Sequence, residues 1–118
     1  MAVHNDTGKQ GEEKAARWLR KRDFEILERN WRHGHLEIDI IATKDQYLHF
    51  IEVKTRTSKN FGYPEDEVGR GKLRHMIDAG VAWLALHPGW KRIRYDILAI
   101  LLKTAGKDEY FLIEDVYL

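Results

Sequence analysis

Four carboxylates and one lysine in this sequence have the types and spacing to do chemistry: Glu12, Glu37, Asp39, Glu52 and Lys54. Asp39 and Glu37 interrupt Leu-Glu-Ile-Asp-Ile-Ile-Ala (36–42), and Glu52 and Lys54 interrupt Tyr-Leu-His-Phe-Ile-Glu-Val-Lys-Thr (47–55). Both runs alternate like strands, yet carry charge where a core would take Val or Leu. Two carboxylates with open coordination space suit a hard divalent cation such as Mg²⁺, whose shell is usually completed by water and phosphate. On a strand, Glu52 and Lys54 share a face, so one can hold a cation while the other reaches the same substrate atom. On a helix, positions i and i+2 diverge.

Parity tests whether the two runs converge. If Asp39 opposes Glu52, then Glu37 opposes Lys54 and Ile41 opposes Phe50, while Ile38 pairs with Val53 and Ile40 with Ile51 on a wholly apolar face. Thr43 then meets Leu48, and 44–47 form a four-residue loop, an acceptable hairpin length. A one-residue slip would mix charge into both faces. The favoured register has a cost: like charges about 5 Å apart at an effective dielectric constant of about 20 repel by roughly 3 kcal/mol. A cation between them relieves it; a salt-bridged polar end of a sheet is the plainer alternative. Spacing alone decides nothing, because with 19 acidic residues and 10 lysines in 118 positions an acid two places before a lysine arises by chance about 1.6 times. It occurs twice, and of the two only Glu52-Val53-Lys54 lies in a strand-like run.

These residues must be positioned by a small single domain, 1–118, of 43% hydrophobic residues, enough for one core. The absence of cysteine excludes disulfides, thiol catalysis and Cys-ligated zinc. With no apolar signal region at the N-terminus and Ile97–Leu102 as the longest apolar run, a cytoplasmic location is expected. A net charge of +1 gives no bulk attraction to nucleic acid, so any such binding must come from local clusters.

The pattern predicts a helix from Thr7 to about Arg22, a strand from Phe24 to Trp31, the hairpin, and a polar loop over 57–66. A second helix follows over Val68–His87, stopped by Pro88-Gly89, then a buried strand Ile93–Leu102 and a closing edge strand Tyr110–Val116. The order α-β-β-β-α-β-β implies an α/β fold, a mixed sheet of about five strands flanked by helices. Glu12 falls on the inward stripe of the first helix with Ala15, Ala16 and Leu19, where a carboxylate is costly unless satisfied. Gly8 and Gly11 beside it allow close approach to the sheet or a phosphate; its bland alternative is a first-turn acid that complements the helix dipole.

Gly11-Glu12, Asn30-Trp31-Arg32, Glu37-Ile38-Asp39-Ile40-Ile41-Ala42, Phe50-Ile51-Glu52-Val53-Lys54-Thr55-Arg56, Phe61-Gly62-Tyr63-Pro64, Lys72 and Arg94-Tyr95-Asp96, in that order, resemble the uncharacterised bacterial YraN-type proteins. That family is similar to the PD-(D/E)XK (restriction endonuclease-like) nuclease superfamily, most closely its Holliday junction resolvases. One departure is Leu36, where the family usually has Gly. The resemblance implies a metal-dependent endonuclease hydrolysing DNA phosphodiesters. In it Asp39, Glu52 and the Val53 carbonyl hold Mg²⁺ or Mn²⁺, Glu12 orients water or completes a second site, and Lys54 positions the attacking hydroxide or stabilises transition-state charge. Junction resolution also implies a homodimer, since two cuts must be coordinated.

Arg56 and Lys72 are the substrate-binding candidates, with Lys59, Arg70 and Arg74 nearby; such residues neutralise backbone phosphates without reading sequence. Asp96 interrupts an apolar strand and is expected to pair with Arg94 or a backbone group. His33 and His35 around Gly34 read as turn residues rather than zinc ligands, and Trp31, Trp83 and Trp90 as core or interface groups. Two other readings remain: a nucleic-acid-binding module of this fold without catalysis, and a nuclease directed at RNA.

Overall fold

The computed structural model describes residues 3–57 and 70–116. Its elements are α1 (Val3–Lys21), β1 (Glu25–His33), β2 (Leu36–Lys44), β3 (Tyr47–Thr57), α2 (Arg70–Leu86), β4 (Ile93–Leu102) and β5 (Glu109–Ile113), the order read from the sequence. They form a five-stranded sheet in the order β1-β2-β3-β4-β5, with β3 and β4 parallel and the other neighbours antiparallel. A parallel pair needs a crossover, and α2 lies within it. Alternation along the strands then separates two cores. Ala15 and Leu19 of α1 pack on Ile40, Ala42, Ile51, Leu98 and Ile100, whereas Ala79 and Trp83 of α2 pack on Ile38, Ile41, Leu48 and Phe50.

Local chemistry explains the differences from expectation. From Ile40 to Thr43 the β2–β3 register is the expected one, with Ile40 opposite Ile51, Ile41 opposite Phe50 and Thr43 opposite Leu48, but the ladder stops at Ile40–Ile51, so the expected Asp39–Glu52 and Glu37–Lys54 pairs are not part of it. The loop is tighter, however, because Lys44 pairs with Tyr47 and leaves Asp45 and Gln46, both at positive φ (52° and 72°), as a two-residue turn. Both central residues at positive φ match the twist of the flanking strands better than a longer loop, and Asp tolerates that conformation. Helix α1 begins at Val3 rather than Thr7. Leu36 is an ordinary strand residue packed on the α2-side core, and Gly34 (φ 63°) makes the turn before it.

Phe24 precedes β1 and is buried in the α1-side core, and β4 spans the expected residues. The edge strand β5 ends at Ile113, before the expected Val116; the segment after it lies on β4, the Val116 N–H donating to the Tyr95 carbonyl at 2.7 Å. Lys59, the Phe61–Pro64 segment and the expected start of the second helix at Val68 lie outside the described residues. Among the described residues no helix is long and apolar enough to cross a membrane.

Candidate metal centre

The β2–β3 ladder runs from Lys44–Tyr47 to Ile40–Ile51 and its register ends there. In an antiparallel pair hydrogen-bonded partners recur at every second residue, so the next such pair would be Ile38 with Val53. Instead the Val53 N–H donates to Asp39 Oδ2 at 2.8 Å. Alternation breaks at the same place: Ile38 packs with the α2-side core and Ile40 with the α1-side core, although they are two residues apart. The neighbouring strand keeps its register here, its one irregularity lying between Ile26 and Glu28, but its alternation breaks at the same level. Asn30, between the pairs Arg29–Ile40 and Trp31–Ile38, adopts φ 53°, and its neighbours divide likewise, Arg29 toward Glu13 on α1 and Trp31 toward the α2-side core. The expected Ile38–Val53 pair on a wholly apolar face therefore does not form, because the Asp39 carboxylate takes the Val53 amide that pairing would use.

At this seam Asp39 is half-buried, and its carboxyl is pushed up from 3.8 to about 7. Burial is the largest cause, followed by the charge of Glu52; the Val53 N–H works in the opposite direction, and Glu12 and Glu37 add further repulsion. Asp39 thus senses carboxylates from α1, from its own strand and from β3. Glu37 and Glu52 also line a small cleft with Ile38, Phe50, Ile51 and Met76 of α2.

Glu12 bears on Asp39 through its charge, from a position well past the first turn of α1, so complementing the helix dipole does not explain it. The approach depends on Gly11, where a Cβ would lie 2.1 Å from Thr55 Oγ1 of β3; Gly8 has nothing within 4 Å of an added Cβ. Lys54 is half-buried and, two residues after Glu52, shares its face of β3. Arg56 is half-buried and donates from Nη1 to the Thr55 carbonyl at 3.1 Å, while Lys72 falls in the first turn of α2. The donor set at the seam is all carboxylate, with the Val53 carbonyl adjacent. That composition fits a hard cation of the Mg²⁺ or Mn²⁺ type.

A second polar group was only half visible in the sequence. Asp96 is fully buried, its Oδ2 2.5 Å from His49 Nδ1 and its Oδ1 accepting the Asp115 N–H at 2.9 Å. The backbone contact is the expected kind, but the side-chain partner is His49 rather than Arg94, which instead lies over Tyr47 at 4.4 Å. Glu114 completes a group whose potential ligand atoms lie within 4.8 Å of one another. Such a group could hold a cation, although Asp96 and His49 already satisfy each other. The sequence signal was a polar residue interrupting each of two apolar strands; their parallel neighbourhood, with Ile51 beside Asp96, was not legible there. The turn histidines make local contacts: His33 stacks on Trp31 at 5.8 Å, and His35 offers its carbonyl to His75 Nε2 at 3.4 Å. Trp83 is buried core, its indole N–H donating to Glu28 at 2.7 Å.

The fold and the seam define a mixed α/β domain that gathers carboxylates where two central strands part, with a lysine on the same strand face as one of them. Residues 11–100, which include every one of those groups, match the family described as "Uncharacterised protein family UPF0102". The chain belongs to that family. It is 40% identical over 106 residues to the UPF0102 protein of Bacteroides fragilis, covering 90% of this chain and 88% of that one. It is likewise 40% identical over 107 residues to that of Beutenbergia cavernae (90% and 91%) and 42% identical over 104 residues to that of Flavobacterium johnsoniae (85% of each).

Proposed function

We propose that this protein is a divalent-metal-dependent endonuclease acting on DNA, of the PD-(D/E)XK, Holliday junction resolvase-like kind. The observation that carries the reading is the parting of β2 and β3 beyond Ile40–Ile51, where the Val53 N–H holds Asp39 Oδ2 at 2.8 Å and burial with the charges of Glu52, Glu12 and Glu37 pushes that carboxyl up to about 7, an arrangement a cation stabilises. Asp39, Glu52 and the Val53 carbonyl would hold it. When bound, Mg²⁺ or Mn²⁺ supplies Lewis-acid polarisation of the phosphate and a bound water of lowered pKa. The chain's own groups do the rest. Lys54, on the face of Glu52, positions the attacking hydroxide and stabilises negative charge on the phosphorane-like transition state, a role worth about 3–4 kcal/mol for one well-placed group. Glu12, carried in by the Gly11–Thr55 contact, orients water or completes a second cation position. Arg56 and Lys72 contact backbone phosphate. Action on branched DNA as a homodimer belongs to the same reading, which rests on the resemblance to junction resolvases.

The test is cleavage of linear, flapped and four-way DNA and RNA with Mg²⁺ or Mn²⁺, by wild type and by Glu52→Ala and Lys54→Ala. Cleavage of DNA by wild type alone, abolished by EDTA, is the expected result. No cleavage of any nucleic acid by wild type, or cleavage by both variants as fast as by wild type, refutes the catalytic assignment; RNA-restricted cutting refutes the choice of substrate.

A further inference from the structure

Charge is unevenly distributed along this chain. Within residues 8–22 six basic residues, Lys9, Lys14, Arg17, Arg20, Lys21 and Arg22, accompany two acidic ones, a net +4 in a chain whose total is +1. The rest of the chain is therefore net −3. The two acidic residues do not cancel the outer face of α1. Glu12 is half-buried on the inward stripe, and Glu13 is engaged by Arg29 of β1 at 3.3 Å. Lys14 is paired with Asp108, and Arg22 lies over the Trp18 ring at 3.7 Å, whereas Lys9, Arg17, Arg20 and Lys21 are exposed.

Their spacing makes a stripe. Positions 9, 13, 17 and 20 follow one another at steps of four, four and three residues and so adjoin on the helix surface. The stripe reads Lys9, Glu13 neutralised by Arg29, Arg17, Arg20, and Lys9 stands three residues before Glu12, the helix's contribution to the Asp39 group. Lys9 and Arg20 are about 16 Å apart along the axis at about 1.5 Å per residue. That length matches about five phosphates of one strand at about 3.4 Å of axial rise each.

We propose that the outer face of α1 is the phosphate-binding track that holds duplex DNA against the carboxylate seam, an inference resting on the nuclease reading above. The charge is of the right sign, ends beside the site, and lies on a rigid element packed on the sheet through Ala15 and Leu19. Anionic lipid fits this helix less well. A membrane-surface helix inserts an apolar face, and here that face is committed to the core while Lys9, Gln10, Glu13, Arg17, Arg20 and Lys21 face solvent.

The experiment is fluorescence-anisotropy binding of labelled duplex DNA in EDTA, so that no cleavage is needed, across a salt series. Wild type is compared with the exposed-surface variant Lys9→Gln/Arg17→Gln/Arg20→Gln and with Lys91→Gln/Arg92→Gln at the far end of the sheet. Three lost phosphate contacts should flatten the slope of log K against log salt by about 2.7 and weaken binding at low salt by about tenfold or more. The far-end variant should bind as wild type, and unchanged melting temperatures should accompany both. An α1 variant with wild-type slope and affinity overturns the track while leaving the cleavage test of the nuclease reading untouched. Equal losses in the two variants, or loss of anionic-vesicle binding with DNA affinity retained, also overturn it. A flattened slope in a protein that never cuts DNA retains the track and removes the enzyme.

Discussion

Asp39→Asn should make the metal-free protein more resistant to unfolding at alkaline pH, although it removes a central charged residue. The folded carboxyl titrates at about 7 against 3.8 for the unfolded chain, because burial and Glu52 disfavour the anion. About three units at about 1.4 kcal/mol each put the cost of ionising it in the folded state at about 4 kcal/mol. The folded state therefore holds the proton more tightly than the unfolded one. This contribution is fully present below the unfolded value of 3.8, declines as pH rises, and is lost through the folded value of about 7. Between pH 5 and pH 8 wild type should lose about 2 to 3 kcal/mol relative to Asp39→Asn, read as the difference in urea-unfolding free energy in EDTA. The amide is nearly isosteric and its oxygen can still accept the Val53 N–H, so the difference isolates the charge. Mg²⁺ or Mn²⁺ should remove the pH-dependent loss and raise the melting temperature of wild type but not of the variant, since only a formed site gains binding energy. Parallel pH profiles for the two proteins in EDTA would refute the electrostatic account of the seam, and equal metal-induced shifts would remove Asp39 from the cation site.

Gly11→Ala should destabilise the fold by about 1–3 kcal/mol through overpacking against Thr55, and Thr55→Ala in the same chain should restore part of it; additive losses in a double-mutant cycle would show that the contact is not the cause. Asp96→Ala, which leaves His49 and the Asp115 N–H without their buried partner, should cost about 3–5 kcal/mol in chemical denaturation, and Asp96→Asn less because one amide oxygen can still accept a bond. A loss under about 1 kcal/mol for Asp96→Ala would mean that water replaces the carboxylate there.

Much of the fold was legible because the hydrophobic period changes cleanly along the chain. Period two through Leu36–Ala42 and Leu48–Val53 fixed the β2–β3 register, since a slip would have mixed charge into both faces. The helical stripe of Ala15, Ala16 and Leu19 located Glu12 on the inward side. Parity failed at Asp39, and for a physical reason: alternation assumes an unbroken ladder, whereas a carboxylate that captures a neighbouring amide ends the ladder and rotates Ile38 to the other core. No local signal distinguishes those outcomes. His49 and Asp96 were likewise isolated polar interruptions until the parallel β3–β4 pairing set them side by side.

By itself, then, the sequence determined the order of elements, the apolar faces of the strands and the residue types able to bind a hard cation, because these depend on local periodicity and side-chain chemistry. Tertiary structure decided which carboxylates meet. The charge of Glu12 acts on Asp39 because a missing side chain at Gly11 lets α1 lie on Thr55, a contact between residues 44 positions apart in the chain. The same packing turns the helix's basic stripe outward beside them. Proximity between distant segments is set by how faces pack, and that information is not carried by any one segment.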